Sequence, residues 1–371
     1  MKKVLLTATV QSHICQFHKP LVQMLRDQGE FEIHVAARNN LSEKNGLKLD
    51  FVDRIFDVPF ERSPFNFHNV KAYKQLKRII DENGYDYVHC NTPVGGVVTR
   101  LAARKTRKNG TRVLYTAHGF HFYKGASLKN WLIYYPVEKF CARFTDKLIT
   151  INQEDYALAR KKMKAKEVLY VPGVGINVDR FCDVSVDKLS KRRELGIPED
   201  AVLLFSVGEL NENKNHQTVI NAVARMGRED IHYVIAGNGP KEEALRQQAA
   251  ALGLGGRLHL LGYRRDVPEL LAAADLFVFP SYREGLSVAL MEAMANGLPC
   301  AVSRIRGNTD LIDAEGGAHF DPHKVETCVE ALETMLSRDH AAMSAHNQQK
   351  IRYFSLQSVM EMMKSIYGAG S

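Results

Sequence analysis

Glu284 and Glu292 stand eight positions apart in the run PSYREGLSVALMEAMANGLP (280–299). A carboxylate accepts paired hydrogen bonds from vicinal hydroxyls, so two of them can grip the two ends of a polyol ligand. Between them lie Gly285, Leu286 and Ser287, where a helix is expected to begin near Leu286–Ser287. Its free N–H groups and positive dipole end suit a diphosphate. Eight residues cover about 12 Å if helical, enough for one carboxylate to reach a hexose and the other a ribose across that diphosphate. Glu292 on its own would read as an exposed helical glutamate, but its neighbours in EAMANG are mostly apolar, which a ligand explains more easily.

Three further turns follow strand candidates. FSVGELNENKN (205–215) places Gly208, Glu209, Asn213 and Lys214 in a polar turn, where main-chain N–H groups and one cation can meet a phosphate. In IAGNGP (235–240), Gly237, Asn238 and Gly239 allow close approach of the backbone to a ligand, and equally a tight turn. LGYR (261–264) offers Tyr263 and Arg264, with a main chain suited to the edge of a base. In the first half, His13 and His18 fall in the first strand-to-helix loop, Asn91 in HCNTPVGG (89–96), and His118 and His121 in YTAHGFHF (115–122). Isolated histidines are more often structural than catalytic. No Asp-x-Asp pair and no His/Cys cluster stands out by spacing, so no metal and no other cofactor is expected.

The elements that must position these residues read as repeated βα units, the mark of parallel sheets. Strands are expected at Lys3–Val10, Phe31–Ala37, Tyr87–Asn91, Arg112–Ala117, Lys147–Ile151 and Val168–Val171. After Gly173 they restart at Val202–Val207, His232–Ala236, Leu258–Leu261, Leu276–Phe279 and Cys300–Val302, with helices such as Lys19–Gln28, Asn69–Asn83 and Gly96–Lys108 between strands. The fold class is therefore α/β, with two doubly wound Rossmann-like domains facing a cleft: 1–173, 174–350, and a closing segment 351–371. Such sheets bind ligands at the carboxyl ends of their strands.

The 371 residues suffice for two cores, and 45% hydrophobic with 25% charged residues excludes a disordered chain. No apolar run approaches the roughly 20 residues of a membrane span. The N-terminus reads as a first strand rather than a signal peptide, and six dispersed cysteines suggest reduced thiols in the cytoplasm. Residues 1–175 hold 29 Lys+Arg against 16 Asp+Glu, a net +13, while the remainder is −5. Arg100, Arg104, Lys105, Arg107, Lys108 and Arg112, with Lys124, Lys129, Lys139 and Arg143 around Trp131, Tyr134, Tyr135 and Phe140, suit an anionic membrane surface. A core-facing helix with a solvated rim is the competing reading. No nucleic-acid-binding motif accompanies the charge.

The Glu284–Glu292 segment with AMANGLP, the turn bearing Lys214, the GNGP loop, the LGY turn and AAADLFVFPS (272–281) resemble, in order and spacing, the family 4 retaining glycosyltransferases of GT-B fold. The closing YFSL…IY (353–367) is similar to their terminal helix, which crosses back to the N-terminal domain. The resemblance implies that Glu284 binds the transferred sugar, Glu292 the ribose hydroxyls and Lys214 the diphosphate. It puts His118 beside the donor sugar and makes His13, His18, Asn91 and His121 acceptor-side residues. Where the family usually has Arg after the turn glycine this chain has Glu209, so Arg306 or Arg264 must supply any compensating cation. The family usually has a glycine pair in the first loop, and this chain has none there. HGFHFYKG and KNWLIYYPVEKF are similar to capsule and exopolysaccharide enzymes acting on lipid-linked sugar diphosphates. The implied donor is a UDP-sugar, the implied acceptor a polyprenyl-linked saccharide, and the implied location the inner face of the plasma membrane. A nucleotide-sugar epimerase on the same fold is the rival enzyme, and a nucleic-acid-binding protein the rival from another class.

Overall fold

The computed structural model describes residues 1–43, 46–64, 66–182 and 184–368. Two compact units emerge. Met1–Val174 join with the segment from Leu356 onward, and Gly175–Ser355 form the other. Residues 351–355, expected in the closing segment, therefore belong to the second unit, because Ile176 bridges to Ser355 there. Positions 369–371 of that segment lie outside the described residues.

The first unit holds a seven-stranded parallel sheet. Its strands are β1 (Lys2–Val10), β2 (Phe31–Arg38), β3 (Arg54–Asp57), β4 (Tyr87–Asn91), β5 (Arg112–Ala117), β6 (Lys147–Thr150) and β7 (Glu167–Tyr170). They run in the order β3-β2-β1-β4-β5-β6-β7. Parallel strands covered on both faces become continuous apolar runs, and Val4, Leu5 and Leu6 of β1 are all fully buried. Val4 and Leu6 enter one cluster with Leu21, Val22 and Leu25 of the helix Lys19–Asp27, while Leu5 enters the opposite one with Leu76, Ile80 and Val98. The last helix, Leu356–Tyr367, docks here through Val359, Met363, Ile366 and Tyr367. Lys147 Nζ donates to Ile366 O at 2.7 Å, which caps that helix against the sheet.

The second unit has six parallel strands: β8 (Val202–Val207), β9 (Ile231–Ala236), β10 (Leu258–Leu260), β11 (Leu276–Phe279), β12 (Cys300–Ser303) and β13 (Gly317–Phe320). Their order is β10-β9-β8-β11-β12-β13. Strand order reverses between β1 and β4 in the first unit and between β8 and β11 in the second. Those switch points are where open α/β sheets hold ligands. Two strands lie where none was expected. β3 has mostly exposed residues and β13 opens on glycine; both are sheet edges, where one-sided burial leaves no apolar run to read.

Candidate functional site

In the second unit the turns after β8 and β11 are laced together across the switch point. Asn213 Nδ2 donates to Arg283 O at 3.0 Å, Tyr282 N to Asn213 O at 2.8 Å, and Asn215 Nδ2 to Pro280 O at 3.1 Å. Asn215 takes a left-handed conformation (φ 54°), which lets the chain turn into the helix His216–Met226. The lacing brings Lys214 Nζ to 2.8 Å from Glu284 Oε1, and both side chains are mostly buried. Nζ also lies 4.7 Å from the Phe279 ring centroid. The two residues read as separate ligand contacts are thus partners of each other.

A second cation stands close. Arg306, 7% exposed, donates from Nε to Glu284 O at 3.2 Å. Gly307 makes that approach possible: a Cβ there would fall 2.3 Å from Gly285 O. Arg264 is placed otherwise, with Nε 2.7 Å from Asp266 Oδ1 and a second contact of 3.0 Å to Glu194. Of the two arginines considered as substitutes for the missing family cation, Arg306 is the one beside Glu284. Glu209 is exposed and accepts from Asn211 Nδ2 at 3.0 Å.

The helix behind Glu284 runs Val288–Asn296 with Ser287 as its N-cap, a residue or two later than expected. Ser287 Oγ accepts from Leu290 N at 3.4 Å, so one first-turn amide is already satisfied and Glu284 precedes the helix rather than riding on it. Glu292 is half-buried and makes no hydrogen bond or ion pair among the described residues. Burial raises its carboxyl to about 7, against the opposing charge of Arg180. A carboxyl held short of partners in this way has unfilled hydrogen-bonding capacity. Leu286 packs against the core of this unit.

The glycines after β9 have a different local partner from the ligand considered above. A Cβ on Gly237 would fall 1.9 Å from Gly208 O, and one on Gly239 2.4 Å from Leu210 O. Gly237 N donates to Gly262 O at 2.8 Å and Leu210 N to Asn238 O at 3.0 Å. Three turns interlock main chain to main chain, and side chains would wedge them apart. Tyr263, beside that junction, is 73% exposed.

In the first unit the carboxyl ends of β1, β4 and β5 gather histidines. The segment after β1 is a helix, Gln11–Phe17, rather than a loop, and it carries His13. His18 sits at its end, buried. The His13 ring lies 4.9 Å from that of His118 and 5.4 Å from that of His18, centre to centre. Asn91 Oδ1 is 3.1 Å from His118 Nε2. One ring nitrogen from each of His13, His18 and His118 lies within 4.8 Å of the others. Sequence spacing alone does not bring these three histidines together; folding does. Burial, then the neighbouring imidazoles, pushes His118 down to about 3 and His13 well below its ordinary value. Burial also takes His18 down to about 4. All three are neutral at pH 7. The His121 ring lies tilted against that of Tyr134, 4.6 Å away centre to centre. Sequence reasoning gave no role to His89 and Tyr367 beneath the group: His89 Nδ1 lies 2.7 Å from the Tyr367 hydroxyl and Nε2 2.8 Å from Thr116 Oγ1. Residues 278 positions apart carry no local signal of such a contact.

The basic surface needs correction. Arg100 is fully buried, with NH2 2.8 Å from Glu138 Oε2 and its guanidinium 3.9 Å above the Tyr115 ring. Arg107 pairs with Asp146 at 2.9 Å. Trp131, Tyr134 and Tyr135 pack against the core with Phe122. The helix Leu128–Cys141 instead exposes Leu128 (73%), Leu132 (68%) and Phe140 (48%), beside exposed Lys129, Lys139 and Arg143. Among the described residues no helix is long and apolar enough to cross a membrane.

Comparison with known proteins bears on both units. The model of the family described as "Glycosyl transferases group 1" matches residues 187–352, and that described as "Glycosyl transferase 4-like" matches 3–152. The chain is 43% identical to EpsD of Bacillus subtilis (strain 168) over 85% of its own length and 82% of the relative's. It is 29% identical to the Escherichia coli UDP-Gal:alpha-D-GlcNAc-diphosphoundecaprenol alpha-1,3-galactosyltransferase, over 79% of this chain and 78% of that one. The crystal structure of Anabaena Alr3699/HepE in complex with UDP and glucose superposes with a TM-score of 0.80 at 19% identity, covering 99% of this chain and all of that one.

Proposed function

This chain belongs to the family 4 glycosyltransferases and has their GT-B fold, and from that premise we propose that it transfers a hexose or N-acetylhexosamine from a UDP-sugar, with retention, to a saccharide on a polyprenyl diphosphate. Family membership sets aside the epimerase and nucleic-acid readings. The observation that carries the proposal is the convergence of Lys214, Glu284 and Arg306 at the β8/β11 switch point, with Glu292 eight residues further along the chain. The E. coli relative's name supplies a precedent for a UDP-sugar and an undecaprenyl diphosphate acceptor.

Glycosyl transfer develops negative charge on the departing diphosphate and positive charge on the sugar. Rate then comes mainly from stabilising the leaving group and positioning the acceptor hydroxyl. Lys214, Arg306 and the main-chain N–H groups ahead of Val288–Asn296 meet the diphosphate, without a divalent metal. Glu284 takes the sugar hydroxyls and Glu292 the ribose. Gly208, Asn213 and the interlocked 237–239 and 263 turns frame the nucleotide. His118 is neutral, so it donates or accepts a hydrogen bond at the sugar and adds no charge. The acceptor hydroxyl attacks the anomeric carbon from the leaving-group face as the bond to the diphosphate breaks, and its proton passes to the departing diphosphate oxygen, with no protein nucleophile. His13, His18, Asn91 and His121 line the acceptor side.

A lipid-linked acceptor stays at a membrane. Leu128, Leu132 and Phe140, with Lys129, Lys139 and Arg143, make the patch that docks on an anionic inner-leaflet surface, in exopolysaccharide or capsule synthesis. The test is incubation with a panel of UDP-hexoses and UDP-N-acetylhexosamines, with and without a polyprenyl diphosphate saccharide. Lipid-dependent consumption of one donor and an α-linked product, read by NMR coupling, are expected. Equal turnover without the lipid, or an inverted product, would reject the reading.

A further inference from the structure

The histidines at the end of the first sheet do more than the proposed transfer asks of them. We propose that His13, His18 and His118 form a binding site for a transition-metal ion of the Zn2+ class. One ring nitrogen of each lies within 4.8 Å of the other two. Tetrahedral zinc holds imidazole nitrogens at 2.0 to 2.1 Å, which sets them about 3.3 Å apart, so the set has to draw in from its present spacing to enclose an ion. His13 Nε2 and His18 Nδ1 are buried and have no hydrogen-bond partner among the described residues. His18 as a whole is only 4% exposed. A buried imidazole nitrogen without a partner is costly to keep, and a Lewis acid bound there satisfies it.

The donor set selects the ion. Three imidazoles with no carboxylate or thiolate suit Zn2+, Co2+, Ni2+ or Cu2+ and disfavour Mg2+ and Ca2+. The surroundings also fit. A metal-bound histidine usually donates one ring N–H to an oxygen acceptor, and Asn91 Oδ1 stands 3.1 Å from His118 Nε2 as an acceptor of that kind beside the group. Three protein ligands leave a fourth position open to water or to an oxygen of a bound molecule. The site stands without any assignment of His118 to the donor sugar; inhibition of transfer by the ion would rest on that assignment, since a metal-bound imidazole is withdrawn from other duty.

The experiment is titration of the metal-free full chain with Co2+, followed by its visible ligand-field absorption. One equivalent should give the intense band of tetrahedral cobalt, and Zn2+ should abolish it by displacement. His13→Gln and His118→Gln should each weaken Co2+ binding more than about tenfold, whereas the exposed His68→Gln should not change it. Zinc-edge X-ray absorption on the unsubstituted protein counts imidazole ligands directly, so a variant that fails to fold does not stop the test; three are expected. No saturable binding, binding unchanged in both site variants, or fewer than three imidazoles would overturn the proposal. Loss of transfer activity in the variants with cobalt binding intact would do so as well, and would leave the transfer reading in place.

Discussion

Replacing Glu292 by glutamine tests the ribose assignment through protons. Burial raises this carboxyl from its ordinary 4.5 to about 7. At pH 6 it is then about nine-tenths protonated, at pH 7 about half and at pH 8 about one-tenth. Ribose hydroxyls donate to the ionised form, so donor binding expels the proton. A UDP-sugar, whose diphosphate diester does not itself titrate near neutrality, should bind about tenfold tighter at pH 8 than at pH 6. Calorimetry in buffers of different ionisation enthalpy should show release of about 0.9 proton at pH 6 and about 0.1 at pH 8. Glu292→Gln should bind more weakly, with neither the pH dependence nor the buffer-dependent heat. Stability runs in the opposite sense. Below about pH 4.5 folded and unfolded chains both hold the proton, so the group contributes nothing. Between 4.5 and 7 the unfolded chain ionises while the folded chain does not, and stability falls as pH rises, by up to about 3 kcal/mol above pH 7. Glu292→Gln should therefore raise Tm at pH 8 and leave it nearly unmoved about one pH unit below 4.5. An affinity as pH-dependent in the variant as in the parent, or the same Tm change at both pH values, would refute the reasoning.

Lys214→Ala should lower kcat by roughly 30- to 1000-fold, the about 2 to 4 kcal/mol of a charge contact that strengthens in the transition state. Activity within threefold of the parent would pass that role to Arg306. Arg100→Met should cost about 3 to 5 kcal/mol in urea unfolding because it strands the buried Glu138 carboxylate, whereas Arg104→Ala, on the exposed face of the same helix, should cost almost nothing. Leu132→Asp should reduce co-sedimentation with anionic liposomes and leave stability unchanged. Each Lys or Arg at the surface contributes about 1 kcal/mol, and salt should weaken binding because charges are screened within about 10 Å at 0.1 M. Equal binding to neutral liposomes, or none at low salt, would count against the patch.

The two sheets were legible because parallel strands buried on both faces write themselves as apolar runs: β4, β5, β8 and β11 match their expected limits residue for residue. Edge strands β3 and β13 lack that second buried face and left no such mark. The motif around Glu284 and Glu292 was legible because a strand, a glycine turn and a capped helix are all local. What the sequence did not reveal was pairing across the chain. Lys214 finds Glu284 70 positions away, and Arg100 finds Glu138 38 away. Arg100 counted as surface charge only while Glu138 was unseen. Trp131 and its tyrosines counted as membrane-facing because the helix composition names its residue types but not which face turns inward. The three-histidine group has the same cause: His13 and His18 share one connection, but only the sheet order β1-β4-β5 brings His118 to them.

The pairing of Lys214 with Glu284 bears on how such a site prepares for charge. The turns that carry them are held together independently of the ion pair, by Asn213 to Arg283 O, Tyr282 N to Asn213 O and Asn215 to Pro280 O. The two side chains can therefore change partners without moving the main chain. Paired, each neutralises the other at a mostly buried position, which avoids an isolated charge. In the proposed reaction the donor diphosphate takes Lys214 from Glu284 and the sugar hydroxyls take Glu284 from Lys214. Negative charge on the leaving group grows as the glycosidic bond breaks, so the Lys214 contact strengthens toward the transition state, while contacts of Glu284 to uncharged hydroxyls change less. Only the contact that strengthens accelerates the step. In the proposed reaction Lys214 therefore serves turnover and Glu284 the orientation of the sugar.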